Sequence, residues 1–491
     1  MRLPGTIVRA GAAILPRGLP EASLEALAGQ FSARNAAHAH WARLPEHVRE
    51  RRTEPPETIT ALRPIPDGPW AGGHWLPRAA PVRGEHHVDR SSCPWAAPVA
   101  LAEGLVPRDY QVRVGELVLE RLQGLVVIPC GGGKTTAGIV AISRVASPAL
   151  VLVPSLLLVE QWCAELAAKL APGTSIGVVG GGRDQRDARI VVATVQTLQR
   201  WGWWDLYQWG RRFGLVVLDE AHHAPAETVM EVLAGLPARH RLGLTATPRR
   251  ADGLEPLIGW SFGGALLEVT QGELEARGLV LAPRISWLMT GWERPRFRDL
   301  PPGRAAADVA AEAWDRDQVI CDQLEAELEP TMVGLVLCAR VDHCARLVAE
   351  LRRRGVVAAE LHGQLAAGVQ RERLSGLRAG TIQVLVATQI ADEALDLPEL
   401  ELVCLVEPGT NASRLQQRIG RALRPRDGKR PLILDCVDDG AGRWQVRERV
   451  AAYHALGWAC VAPVEEREER HDDGDPGGEW DRDWDARGDA W

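Results

Sequence analysis

Between residues 105 and 440 the chain alternates short, continuous apolar runs with stretches of helical periodicity, and this alternation narrows the fold more than any other feature. The first series is Leu125–Ile128, Ala149–Val153, Ile190–Ala193, Leu215–Leu218 and Leu242–Leu244. The second is Val333–Leu337, Val356–Ala359, Val384–Ala387, Leu402–Val406 and Leu432–Leu434. Runs that are apolar at every residue, and not only at alternate ones, belong to strands buried on both faces. Helices between them make the sheets parallel. Two such series predict two α/β domains. In sheets of this kind the residues that meet a ligand lie just beyond the carboxyl ends of the strands.

Composition places the rest. A chain of 491 residues has room for about three domains. No run of 18 apolar residues occurs, so a membrane span is excluded. The nine cysteines include no C-x-x-C pair, and Met1–Pro4 opens no secretory pattern. Both features lead to the expectation of a cytoplasmic protein. Residues 1–104 are rich in Pro, Arg and His, with one helical stretch over 21–34 and few strand signals; they are expected to form a small N-terminal accessory domain. Pro and Gly thicken over 278–301, which separates a first domain at 105–285 from a second at 286–464. Residues 465–491 carry 12 acidic side chains and 4 arginines, a net −8, and are expected to be a disordered acidic tail. The whole chain carries −7, so the body without the tail carries +1, and a local basic groove is compatible with the acidic total.

After the run Leu125–Ile128 comes Pro129-Cys130-Gly131-Gly132-Gly133-Lys134-Thr135-Thr136, followed by helix-compatible residues. Glycines let a backbone wrap a phosphate with its N–H groups turned inward, at a helix N-terminus whose dipole favours anions. Gly131, Gly132, Gly133, Lys134, Thr135 and Thr136 are therefore the expected ATP-phosphate group, with Lys134 at the β/γ-phosphates and Thr135 on Mg2+. Only three lysines occur, Lys134, Lys169 and Lys429, so Lys134 stands where arginine would not serve. The strict loop pattern has one more glycine, at the position of Ile128.

The run Leu215–Leu218 ends in Asp219-Glu220-Ala221-His222-His223. A carboxylate at that end holds Mg2+ through water, which is the expectation for Asp219. The next, Glu220, is placed to orient and deprotonate an attacking water. In Leu415–Pro425, Gln417, Arg421 and Arg424 fall on one helical face. The forked guanidinium groups of the two arginines suit the charge that spreads over a γ-phosphate in the transition state, reached when two domains close.

These segments, in this order, resemble the superfamily 2 helicases, whose fold is a tandem pair of RecA-like parallel-sheet domains. The resemblance covers about residues 105–440. Arg108-Asp109-Tyr110-Gln111 is similar to the adenine-reading segment, which implies Gln111 at the base. Val153-Pro154-Ser155 with Glu160-Gln161-Trp162, and Thr194-Val195-Gln196-Thr197, are similar to the strand-contacting motifs. They imply Pro154, Thr194, Gln196 and Thr197 at nucleic acid, as Leu361-His362-Gly363 and Ala387-Thr388 imply Gly363 and Thr388. Thr245-Ala246-Thr247-Pro248 is similar to the motif that couples hydrolysis to strand movement, through Thr245 and Thr247. Glu393-Ala394-Leu395-Asp396 implies a nucleotide contact at Asp396, with Ala394 where the family has Gly.

Pro-Cys-Gly-x-Gly-Lys, Val-Glu-Gln-Trp and Thr-Ala-Thr-Pro with Arg-x-Asp-Gly are similar to the DEAH-type, XPB and UvsW-like branch. That likeness implies DNA, not excluding RNA, and 3′ to 5′ movement with unwinding. Two other readings stay open: a duplex translocase of a restriction or defence complex, and an ATP-dependent clamp. A protein partner would meet the N-terminal region or the acidic tail. Trp201, Trp203, Trp204 and Trp209 are open to base stacking or to packing.

Overall fold

A computed structural model of the chain describes residues 2–10, 12–15, 17–34, 38, 57–246, 253–294, 309–388, 400–407, 425–426, 429–440, 444–458 and 460. It divides into two compact units. One comprises Met1–Pro129 and Gly133–Val269, the other Cys130–Gly132 and Thr270–Trp491.

The first unit holds two large sheets. The N-terminal one is built from β1 (Arg2–Arg9), β2 (Ala12–Ile14), β5 (Arg63–Pro64), β6 (His74–Pro77) and β7 (Arg83–Asp89), in the order β5-β6-β2-β1-β7. Helix α1 (Glu21–Gln30) and the short pair β3 (Ser32–Arg34) and β4 (Thr58–Thr60) accompany it. The region is thus richer in strands than its sequence suggests. Pro4 and Gly5 inside β1, and prolines ending β5 and β6, hide the alternation that would announce them.

The second sheet of this unit has eight strands: β8 (Gln123–Val127), β9 (Ala149–Val153), β10 (Ile176–Gly180), β11 (Arg183–Asp184), β12 (Ile190–Thr194), β13 (Leu215–Leu218), β14 (His240–Thr245) and β15 (Ala265–Glu268). Their order is β11-β10-β12-β9-β13-β14-β8-β15, and only the β10/β11 pair is antiparallel. The helices α2 (Asp109–Arg121), α3 (Lys134–Arg144), α4 (Leu156–Lys169), α5 (Val195–Gln199), α6 (Trp203–Gly210), α7 (Glu227–Gly235) and α8 (Glu255–Phe262) connect these strands. Every residue of β9, β12 and β13 is buried, as continuous apolar runs require, and each fully buried Val or Leu contributes about 1.5–3 kcal/mol.

The two sheets share one core. Leu3, Ile7, Ile14, Phe31 and Leu76 pack with Trp203, Tyr207, Met230, Leu254 and Leu257 of α6, α7 and the α8 region. The Trp70 ring meets Trp203, Trp204 and Tyr207 edge-on, with centroids 6.0, 5.9 and 5.1 Å away. Main-chain bonds continue the seam, with Ser92 N–H donating to Pro237 O and Arg239 N–H to Ser92 O. The tryptophan cluster therefore packs one sheet against the other, and Trp201 and Trp209 lie ring to ring at 5.0 Å.

The second unit holds a six-stranded, wholly parallel sheet of β16 (Arg284–Arg294), β17 (Val333–Leu337), β18 (Ala358–Leu361), β19 (Val384–Ala387), β20 (Leu400–Leu405) and β21 (Leu432–Gly440), ordered β16-β21-β20-β17-β19-β18. With it go α9 (Gln271–Ala276), α10 (Trp314–Glu327), α11 (Val341–Arg353), α12 (Ala367–Arg378) and α13 (Trp444–Ala455). β16 runs through the stretch expected to be a break. It is an edge strand, partly exposed along its length, so it lacks a continuous apolar signature. The α/β class with RecA-like parallel sheets read from the sequence is the class observed.

Candidate nucleotide site

The site forms where β8, β13 and β14 end side by side. Beyond β8 the backbone turns sharply at Gly131 (φ 82°) and Gly133 (φ 80°), both in the left-handed region that only glycine enters cheaply. α3 then starts at Lys134 with Gly133 as its cap, and glycine brings no capping side chain. The N–H groups of a helix's first turn and its dipole suit an anion at such a loop mouth. Gln111, only 3% exposed, braces the loop: its amide nitrogen donates to Gly133 O at 3.2 Å, and its oxygen accepts from Arg108 N–H at 2.9 Å. A Cβ on Gly133 would come 2.6 Å from that amide nitrogen. Thr136 is buried and receives a hydrogen bond from Lys169 at 2.6 Å, while Thr135 stays half-open beside it.

At the end of β13 Asp219 and Glu220 stand together. Asp219 Oδ1 accepts Glu220 N–H at 2.9 Å, and Asp219 Oδ2 accepts the indole N–H of Trp162 at 2.7 Å. Glu220 is held at φ 51°, a conformation that costs a residue with a side chain about 1–2 kcal/mol. Its Oε1 lies 3.3 Å from Lys134 Nζ, and its Oε2 lies 3.3 Å from His222 Nδ1. His222 Nδ1 is also 3.4 Å from the hydroxyl of Thr245, a fully buried residue at the end of β14. A file of polar groups thus runs Lys134–Glu220–His222–Thr245. The place of His222 in it was not foreseen from sequence, because the adjacency arises from a single 3-10 turn at Ala221–His223.

Burial and the neighbouring Glu220 push the Asp219 carboxyl above its ordinary range. Burial also pushes Glu220 upward, but the Lys134 ammonium and then His222 outweigh it and hold Glu220 well below the ordinary range. The donor set suits Mg2+, which takes oxygen ligands from one or two carboxylates together with phosphates. Asp219 and Thr135 present oxygen, with the Glu220 carboxylate beside them.

The residues expected at nucleic acid are gathered in two groups. In the first unit the ends of β9 and β12 lie in register, Val153 opposite Thr194. Gln196 donates to Pro154 O at 2.7 Å, and the Thr194 and Thr197 hydroxyls are 2.8 Å apart. Thr194 is only 4% exposed, so it supports Thr197. In the second unit Thr388 N–H donates to Leu361 O at 3.2 Å, which sets Thr388 beside exposed Gly363. Thr247, Asp396, Gln417, Arg421 and Arg424 lie outside the described residues.

Comparison with known proteins agrees with this geometry. Residues 104–250 match the family described as "Type III restriction enzyme, res subunit", and residues 315–426 match "Helicase conserved C-terminal domain". The chain is 30% identical over 357 residues to "DNA 3'-5' helicase XPB" of Mycobacterium tuberculosis, covering 70% of this chain and 62% of that protein. It is 30% identical over 334 residues to "Putative DNA 3'-5' helicase Rad25" of Haloarcula marismortui, covering 67% of this chain and 52% of the relative. The chain thus spans less than two thirds of the length of these relatives. Among solved structures, "S. cerevisiae Dbp5 bound to RNA and ADP BeF3" superposes with a TM-score of 0.52 at 20% identity, over 73% of this chain and 90% of that one. That likeness concerns the fold.

Proposed function

We propose, on the premise that the chain belongs to the superfamily 2 helicases, that it is an ATP-hydrolysing motor acting on DNA. The observation that carries this reading is the Lys134–Glu220–His222–Thr245 file at the mouth of the glycine loop. Lys134 has one ammonium and two claims on it. With no phosphate present it neutralises Glu220. When the β/γ-phosphates of ATP occupy the loop mouth, the ammonium turns to them. Glu220, freed of its cation, becomes a stronger base and takes the proton of the attacking water. His222 keeps the carboxylate oriented and connects it to Thr245. The first-turn N–H groups of α3 hold the phosphates. Thr135 and Asp219 would hold Mg2+, which neutralises phosphate charge when bound. We assign Arg421, Arg424 and Gln417 to the γ-phosphate and Asp396 to the nucleotide. Pro154, Gln196, Thr197, Gly363 and Thr388 are assigned to the nucleic-acid backbone, with Thr194 behind Thr197 as its support; such contacts position a strand without reading its sequence.

Asp219-Glu220-Ala221-His222 spells a DEAH box, and the names of the relatives favour DNA and 3′ to 5′ movement. The match of residues 104–250 to a restriction-enzyme family favours a second reading, translocation along duplex without strand separation. Strand displacement on duplexes with a 3′ tail, a 5′ tail or blunt ends, beside displacement of a third strand from a triplex, tests both. Release of the partner strand from 3′-tailed duplex alone is the expected result. Triplex displacement without strand release would establish the second reading. ATP binding with neither would leave a clamp.

A further inference from the structure

We propose that Trp162 is a positioning residue for Asp219, its indole N–H fixing the rotation of the carboxylate so that a metal-bound nucleotide meets it in one orientation. This rests on the nucleotide-site reading above and adds a residue to it. Trp162 is 1% exposed, and its nitrogen donates to Asp219 Oδ2 at 2.7 Å across 57 residues of sequence. The other oxygen, Oδ1, accepts Glu220 N–H at 2.9 Å, and Asp219 N–H donates to Leu152 O at 3.0 Å. Each carboxylate oxygen therefore has one protein donor and keeps capacity for a second partner. Neither bond alone defines the carboxylate plane, whereas the two together do.

A second observation shows that the fold makes room for this donor. The indole passes directly over α3, the helix that carries the phosphate loop, at Gly138. A Cβ on Gly138 would come 2.9 Å from Trp162 Cη2 and 2.9 Å from Leu244 Cδ1. Gly138 has no positive φ that would call for glycine; the space it leaves is what the indole ring uses. One side chain thereby ties three parts of the site together: α4, which carries it, α3, which it crosses, and the end of β13, which it holds.

Binding of a fluorescent, non-hydrolysable ATP analogue, measured with Mg2+ and in excess EDTA, tests the proposal. Trp162→Phe keeps an aromatic ring at the position and removes the N–H. It should weaken binding about tenfold with Mg2+, the size of one hydrogen bond to a charged group, and raise the half-saturating Mg2+ concentration by a similar factor. Affinity in EDTA should stay within about twofold of wild type. Gly138→Ala, which keeps the N–H but pushes the indole out of place, should shift the Mg2+ requirement the same way. It decides the matter if the Phe variant fails to fold. Equal weakening with and without metal would reduce Trp162 to a packing residue and overturn the proposal, as would unchanged binding in both variants. A wild-type protein that binds no analogue at all would instead bring down the nucleotide-site reading.

Discussion

The protein buries carboxylates in two places and treats them in opposite ways. In the second unit Asp317 of α10, Asp438 of β21 and Glu407, just beyond β20, are buried with matched cations. Asp317 meets His343 Nε2 at 2.8 Å and Arg346 Nε at 2.7 Å, and Asp438 Oδ1 meets Arg316 Nε at 2.7 Å. Glu407 accepts Ala339 N–H at 3.0 Å and faces His343 Nδ1 at 3.3 Å and Arg316 at 3.7 Å. An imidazole with a carboxylate at each nitrogen is satisfied only as imidazolium. Burial alone would push the His343 pKa down, but Asp317 and Glu407 outweigh it and raise the value to about 9. Burial pushes Glu407 up, and His343 and Arg316 bring it below its ordinary range. In the first unit Asp219 and Glu220 sit side by side with Lys134 as their nearest ammonium, the first pushed up and the second held down. Glu220 is strained at φ 51°, and the two adjacent carboxylates share the Lys134 ammonium and the His222 imidazole. Where a buried charge set balances within the protein it holds the fold. Where it is left unbalanced, it is set up for a ligand that supplies the remainder.

Four changes put that contrast to the test. Lys134→Ala removes the ammonium that pairs with Glu220 and that we assign to phosphate, and ATP turnover should fall to background, a loss of at least about a thousandfold. Near-normal turnover in steady-state kinetics would sink the assignment. Glu220→Gln should lower kcat about a hundred- to a thousandfold while nucleotide binding persists in equilibrium titration; loss of binding as well would make Glu220 structural. His343→Ala belongs to the balanced set and should act on stability. Urea unfolding should show about 4 kcal/mol lost, with kcat per folded molecule within about twofold of wild type. The smallest effect concerns pH. The folded pKa of His343 lies above its ordinary value, so its contribution is complete below pH ~6.5. It should fade as pH rises toward about 9, a loss of about 3 kcal/mol that unfolding curves of His343→Ala should lack.

Strands buried on both faces were legible because burial demands apolar residues throughout: Ala149–Val153, Leu215–Leu218, Val333–Leu337 and Val384–Ala387 form with the bounds the sequence predicts. Strands with other constraints were hidden. β10 carries Gly177, where a Cβ would come 2.3 Å from Gln185 O, and β16 carries polar residues because it is an edge. The phosphate loop and the acidic strand end were legible because their chemistry lies in consecutive residues. Trp162 was read only as part of a strand-contacting motif, and its bond to Asp219 appears only on folding. The balanced set was illegible for the same reason, since Arg316 and Asp438 are 122 residues apart.

The most direct test of the account is ATP hydrolysis with single-stranded DNA, duplex DNA, RNA and no nucleic acid, in wild type and Lys134→Ala. The account predicts hydrolysis strongly stimulated by DNA and abolished in the variant. Hydrolysis that ignores every nucleic acid, or that survives the loss of Lys134, would contradict it.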